Sequence, residues 1–183
     1  MTDWSVLGTL QAVPALDRPD LLAGPVARAL KALDPADAAL VGVAEIDPDL
    51  ADTAAFCDAY GSPLDGSANC VVVAGRRGGD VRYAACLVLA TQRADVNGLV
   101  RRRLDARKAS FAPMDDAVAL TEMEYGGIMP IGLPEAWPVL VDAAVAAAPA
   151  VVIGSGVRHS KLALPGELAA RLPGAEVVES LGR

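Results

Sequence analysis

Apolar residues in this chain come in short runs punctuated by Gly, Pro and charge, the pattern of an alternating strand-and-helix protein. Residues 39–46 (ALVGVAEI) form a continuous apolar run of strand length. Asp47-Pro48 closes it and opens a helix through Tyr60, with Gly61 just past the end. Residues 69–74 and 81–90 are two more strands flanking Gly75-Arg76-Arg77-Gly78-Gly79-Asp80, which predicts a hairpin with a loose, basic, exposed turn. Upstream, Pro14, Pro25 and Pro35 surround a helix over residues 25–33, so residues 1–37 read as a helical extension packed on a core of residues 38–183. Downstream, residues 95–106 predict a helix carrying Arg101, Arg102 and Arg103, followed by Arg107, Lys108 and a short helix from near Pro113. Residues 126–134 are too dense in Gly and Pro for a regular element and predict a shaped loop or bulged strand. An Ala-rich helix over residues 137–148, a buried strand over 150–153, a helix over 162–172 and a last strand over 176–178 complete the chain. The hairpin requires antiparallel pairing, so the expected fold is one α/β domain with a mixed sheet.

Composition narrows the function classes. With 183 residues, 53% hydrophobic and 21% charged, the chain can bury a real core, and disorder is excluded. Only two Phe, two Trp and three Tyr are present, so that core is aliphatic. A net charge of −7, from 16 Lys+Arg against 23 Asp+Glu, excludes a protein coated in positive potential for non-specific nucleic-acid binding. It leaves room for a local basic site, and the Arg101 to Lys108 run is either that or a solvated helix face. No window reaches the ~18 uninterrupted apolar residues of a membrane span, and the N-terminal residues lack the basic and apolar regions of a secretory signal. A cytoplasmic protein without a membrane partner is expected. Cys57, Cys70 and Cys86 are odd in number, without a C-x-x-C pair and with His159 as the only histidine, which fits reduced core thiols and no metal site.

Two generic motifs remain. Gly154-Ser155-Gly156 after a strand resembles the start of a dinucleotide-binding turn, and Glu176 stands where a ribose-binding acid would fall. The position of the third glycine is His159, however, and only 27 residues follow Gly156, so a tight turn needing positive φ is the simpler reading. A Ser-His-Asp triad would have to use His159, flanked by Arg158 and Ser160, a setting more typical of a surface or ligand-contacting histidine than of a general base.

Taken together, Ala68-Asn69-Cys70-Val71-Val72-Val73, Arg107-Lys108-Ala109-Ser110-Phe111-Ala112, Gly126-Gly127-Ile128-Met129-Pro130-Ile131-Gly132 and Gly154-Ser155-Gly156-Val157-Arg158 resemble the YbaK/EbsC family of aminoacyl-tRNA editing domains. That family includes the prolyl-tRNA synthetase insertion domain and Cys-tRNA(Pro) deacylase, and the resemblance runs from about Ala39 to Val178. It implies a single α/β domain whose mixed, mostly antiparallel sheet curls into a partial barrel among helices. It also implies hydrolysis of amino acids wrongly esterified to tRNA, with no cofactor. The partners implied are the 3′ end of an aminoacyl-tRNA and an aminoacyl-tRNA synthetase.

The same resemblance assigns roles. Asn69, Gly126 and Gly127 take the catalytic positions. Ile128, Met129, Pro130, Gly154, Ser155, Gly156 and Arg158 take the substrate-binding ones, and Arg101, Arg102, Arg103 and Lys108 would meet tRNA phosphates. An aminoacyl ester is already activated, so positioning, water access and main-chain donors from the two glycine loops would suffice. Two departures stand out: Met129 precedes the proline where relatives commonly have a small hydroxylated residue, and Asn69 replaces the usual family lysine. An amide offers hydrogen bonds without net charge, so the alternative to a deacylase is a non-catalytic module binding an aminoacyl group, a nucleotide or tRNA.

Overall fold

The computed structural model describes residues 2–183. After β1 (Val13–Pro14), Pro25 sits in the first turn of α1 (Gly24–Ala32), followed by α2 (Pro35–Ala38) and β2 (Gly42–Glu45). Asp52 precedes α3 (Thr53–Tyr60), which Gly61 ends in the left-handed conformation at φ 67°. The hairpin comprises β3 (Ala68–Arg77) and β4 (Asp80–Leu89), and its ladder continues to Arg77 opposite Asp80. The expected loose six-residue turn is therefore a tight one at Gly78-Gly79, with Gly78 at φ 61°.

The remainder departs further from the sequence expectation. Residues 95–106 hold a wide turn over Val96–Val100 and a short α4 (Arg101–Arg103) rather than one helix. β5 (Lys108–Phe111), absent from the sequence reading, precedes α5 (Met114–Thr121). The expected helix over 137–148 is instead β6 (Val139–Asp142) running into α6 (Ala143–Ala146), where Asp142 accepts from the Ala144 N–H at 2.8 Å. β7 (Val151–Gly154) appears as expected. The expected helix over 162–172 is β8 (Ser160–Leu164) followed by α7 (Gly166–Ala169), and β9 (Ala175–Val178) closes the order. The cause is the same in both corrections. β6 and β8 are interior strands buried on both faces, so each reads as a continuous apolar run that periodicity does not separate from a buried helix.

Two sheets result. One is antiparallel in the order β1-β2-β8-β7; the other, β5-β3-β4-β6-β9, is mixed, with β6 parallel to both β4 and β9. The sheet is thus open and divided, and a parallel bridge between Ser67 and Val152 links the facing edges of β3 and β7. The main core lies between the sheets: Val26 and Leu30 of α1, Val43, Leu87, Val141, Ile153 and Leu162 are all buried there. Strand alternation sends Val73, Cys86, Val88 and Leu140 to the outer face of the mixed sheet, under Val96, Val100 and Leu104. On the outer face of the other sheet, Val152 and Ala163 pack with Phe56 of α3. Leu7, Ala15, Leu21 and Leu22 also enter these cores, so residues before α1 contribute directly to the packing. No helix of the described residues is long and apolar enough to cross a membrane.

Leu87 is fully buried near the end of β4. Leu87→Ala should lower unfolding free energy by about 2–5 kcal/mol, read as a shift in denaturant midpoint with an unchanged m-value.

Candidate functional site: a cleft between two strand edges

β5 pairs with β3 only from Val73 onward, with one more bond from the Ala112 N–H to the Val72 carbonyl at 2.8 Å. Toward its other end β3 meets β7 at the Ser67–Val152 bridge. Between these points the edge of β3 is unpaired, and a cavity of about 480 Å³ opens beside it, within the range of small-molecule sites. Asn69, Cys70 and Val71 of β3 form one wall and Val152, Ile153 and Gly154 the other; Thr53, Phe56 and Lys161 lie at the α3 side, and Phe111, Met114, Tyr125 and Gly126 at the mouth.

The ladder fixes which peptide groups face the opening. The Ala90 N–H donates to the Ser67 carbonyl and the Ala112 N–H to that of Val72, so odd residues of this stretch of β3 turn toward β4 and even ones away. The Cys70 N–H therefore points to the open edge. Burial pushes the Cys70 thiol pKa up, as it pushes the Cys86 thiol up to about 12, which disfavours the thiolate that a nucleophile needs. Beside it, the Thr53 hydroxyl donates to Asn69 Oδ1 at 2.8 Å. That bond orients the amide and leaves its NH₂ as the free donor end.

The two glycine-bearing segments meet, as the resemblance requires, but not every group in them faces the cleft. The Gly156 N–H donates to the Gly127 carbonyl at 2.8 Å, and the Gly127 N–H to Glu124 O at 2.9 Å, so neither amide is available as an oxyanion donor. A Cβ on Gly127 would come within 2.7 Å of the Val157 carbonyl, and one on Gly154 within 2.5 Å of the Gly127 carbonyl. Two backbones pack flat here, which only glycine permits. Gly126, at φ 88°, Ile128 and Gly154 line the cleft. Met129 is buried, its Sδ accepting from the Ile131 N–H at 3.0 Å, and Pro130 faces a separate cavity of about 390 Å³ near Trp137. Ser155 is buried, its hydroxyl 2.6 Å from that of Ser160, and Gly156 abuts Ala23 and Val26.

Basic residues divide by location. The Arg158 N–H donates to Glu124 at 2.7 Å, and its guanidinium donates to the carbonyls of Tyr125 and Pro48, clamping the loop at the mouth. Arg101, Arg102 and Arg103 follow the segment covering the outer face of the mixed sheet, and none lines the cleft. Arg101 donates to Asn97 O at 2.8 Å and Arg103 pairs with Glu176 at 2.8 Å. Lys108 is exposed at the start of the strand that ends at Phe111, roughly 10 Å from the mouth. His159 has Asp20 O 3.4 Å from its Nε2 and does not line the cleft.

Sequence reasoning missed Lys161. It is 7% exposed, lines the cleft, donates to Ala51 O at 2.7 Å and lies 5.5 Å from the centre of the Phe56 ring. Burial lowers its pKa below the ordinary lysine value, with Asp52 and Cys57 pulling the other way and Arg158 adding to the decrease. The available signal was a lysine inside the apolar run Ser-Lys-Leu-Ala-Leu, obscured by assigning that stretch to a helix.

A search of curated proteins gives no sequence match. Among solved structures, one described as a candidate trans-editing enzyme for prolyl-tRNA synthetase is 21% identical, with a TM-score of 0.69, covering 86% of this chain and 97% of its own. A protein solved in work on computational epitope grafting onto scaffolds is 22% identical, also with a TM-score of 0.69 and the same coverage. A hypothetical protein is 18% identical at TM-score 0.69, over 81% of this chain and 95% of its own. These likenesses establish the fold. The family model "Aminoacyl-tRNA editing domain" matches residues 47–172, a span holding every residue that lines the cleft. With that match over more than half the chain, the protein belongs to the aminoacyl-tRNA editing domain family.

Proposed function

We propose that this chain hydrolyses the ester joining an amino acid to the 3′ ribose of a mischarged tRNA. The supporting observation is the unpaired edge of β3, where the Cys70 N–H and the Thr53-oriented Asn69 amide face one cavity of about 480 Å³. Such an ester needs a positioned carbonyl, a water molecule and donors for the oxyanion that develops, and these groups are suited to supply the donors. A covalent route is poorly supplied: burial raises the Cys70 thiol pKa, the Thr53 hydroxyl is committed to Asn69, and no histidine lines the cleft. At the mouth, Phe111 and Tyr125 are 62% and 61% exposed, and offer faces on which a terminal base can stack. Below them the enclosed volume limits the size of the amino-acid side chain, and steric exclusion of large ones discriminates more strongly than a missing methylene does.

The tRNA itself extends beyond the cleft. Lys108 would meet phosphate near the acceptor end, whereas Arg101, Arg102 and Arg103, on the outer face of the mixed sheet, would serve only a more distant part of the nucleic acid. Binding by a protein of net charge −7 should be weak and fall with salt.

Two measurements test this reading. Against a panel of tRNAs carrying labelled, mismatched amino acids, the protein should release at least one amino acid. Asn69→Ala should cut kcat/KM about 30-fold, equivalent to about 2 kcal/mol; binding without release would instead identify a binding module. Replacing Arg101, Arg102 and Arg103 together by Gln should raise KM for full-length tRNA at low salt and leave hydrolysis of a short aminoacyl-oligonucleotide unchanged. An equal loss on both substrates would place those arginines at the ester.

A further inference from the structure

The buried charge in the cleft has no carboxylate of the described residues within ion-pair distance; Asp52, which also lines the cleft, attracts it from farther off. Among the described residues Lys161 takes part in no ion pair, and its Nζ makes one hydrogen bond, to Ala51 O at 2.7 Å. An ammonium has three N–H donors, so two are left over. The Phe56 ring, 5.5 Å away, covers part of the charge, and the remaining exposure is to the cavity that Asn69 also lines. An ammonium taken out of water is costly unless paired. A merely structural side chain here would be served better by methionine, which fills the same volume without that penalty.

We propose that Lys161 Nζ binds the ester carbonyl oxygen of the substrate and holds the negative charge that forms there when water attacks. The assignment rests on the hydrolytic reading above and adds to it the group that carries the charge. Water oxygen bonds to the carbonyl carbon as the π pair moves onto the oxygen facing Nζ. On collapse the carbon–ribose oxygen bond breaks, the ribose oxygen takes a proton from the attacking water, and the amino acid leaves as a carboxylate, releasing the second proton to solvent. The Lys161 proton count is the same before and after, and no other reactant enters. A charge fixed in a water-poor wall stabilises the transition state more than the neutral ester, so its effect belongs in kcat.

The test is Lys161→Met beside Lys161→Gln and the parent, using the released-amino-acid assay on a substrate the parent turns over. Both variants should lose on the order of 100- to 1000-fold in kcat with KM changed less than about threefold. Folding is checked separately. Because the lysine pKa is lowered in the folded state, the unfolded chain binds the extra proton more readily, and the cost to stability is present at neutral pH and vanishes above the ordinary value of 10.5. Any stability that Lys161→Met gains over the parent should therefore shrink as pH rises toward 10.5. Asp52, Cys57 and Arg158 face the same group and are unchanged in the variant.

If the folded variants keep kcat within threefold of the parent, the assignment to Lys161 is overturned and the hydrolytic reading stands. If the parent releases no amino acid from any mischarged tRNA, the hydrolytic reading itself falls. Should neither variant fold, the parent's own kcat decides after subtraction of spontaneous hydrolysis: a loss on the alkaline side ahead of pH 10.5 supports the assignment, and a flat profile to that pH defeats it.

Discussion

The bridge between Ser67 and Val152 brings the edges of the two sheets together, and the cleft exists because the pairing goes no further. Had β3 and β7 continued side by side, the Cys70 peptide groups would be spent on ladder hydrogen bonds, and no unpaired edge would remain. β5 comes in from the other end and stops at Val73, with a final bond to the Val72 carbonyl. An exposed strand edge is ordinarily a liability for aggregation. Here α3, α5 and the loop at Tyr125 and Gly126 surround it, leaving an opening of ligand size rather than of strand length.

The glycines act mainly on the second wall. Gly127 lies against the main chain of Val157, and Gly154 against that of Gly127, so the loop before β6 and the loop after β7 are packed together as one piece. Arg158 ties that piece to Pro48 and to the Tyr125 carbonyl. The buried Ser155 and Ser160 hydroxyls satisfy polar groups beneath it. Residues such as Met129, Ser155 and Gly156 thus shape the cleft from behind without touching what enters it. Motif residues can be essential to a site's geometry while offering no chemistry of their own.

Much of this was legible in the chain. The helix at Pro25, the helix ending at Gly61, the β3–β4 hairpin and the strand before Gly154 follow from local rules of capping, turn chemistry and alternation. β6 and β8 did not, because an interior strand buried on both faces carries no period, and Ala-rich or Leu-rich flanks favour helix on propensity alone. The misreading of β8 had a functional consequence. As a helix, residues 162–172 leave Lys161 just before the first turn with no reason to be buried; as a strand, Ser160–Leu164 places it on the face shared with Ala163, against Phe56. The pairing of Thr53 with Asn69 and the free Cys70 N–H were equally out of reach, since both depend on which edge of β3 remains unpaired.

The distribution of charge carries the argument one step further. Asn69 contributes a dipole to the cleft lining and Lys161 a full charge, so an ammonium reaches the cleft without a lysine at position 69. A cation recessed in low-dielectric surroundings acts over a longer distance than one on the surface, where water and salt screen it within about 10 Å. In a protein of net charge −7, Lys161 sets a recessed cation, with Asp52 nearby, inside a molecule whose net charge opposes polyanions. On the proposed function, an acylated terminus narrow enough to enter would meet two amide-type donors and the ammonium of Lys161, which donates to Ala51 O. On that reading, affinity for tRNA as a polymer and action on its ester would be carried by different parts of the fold.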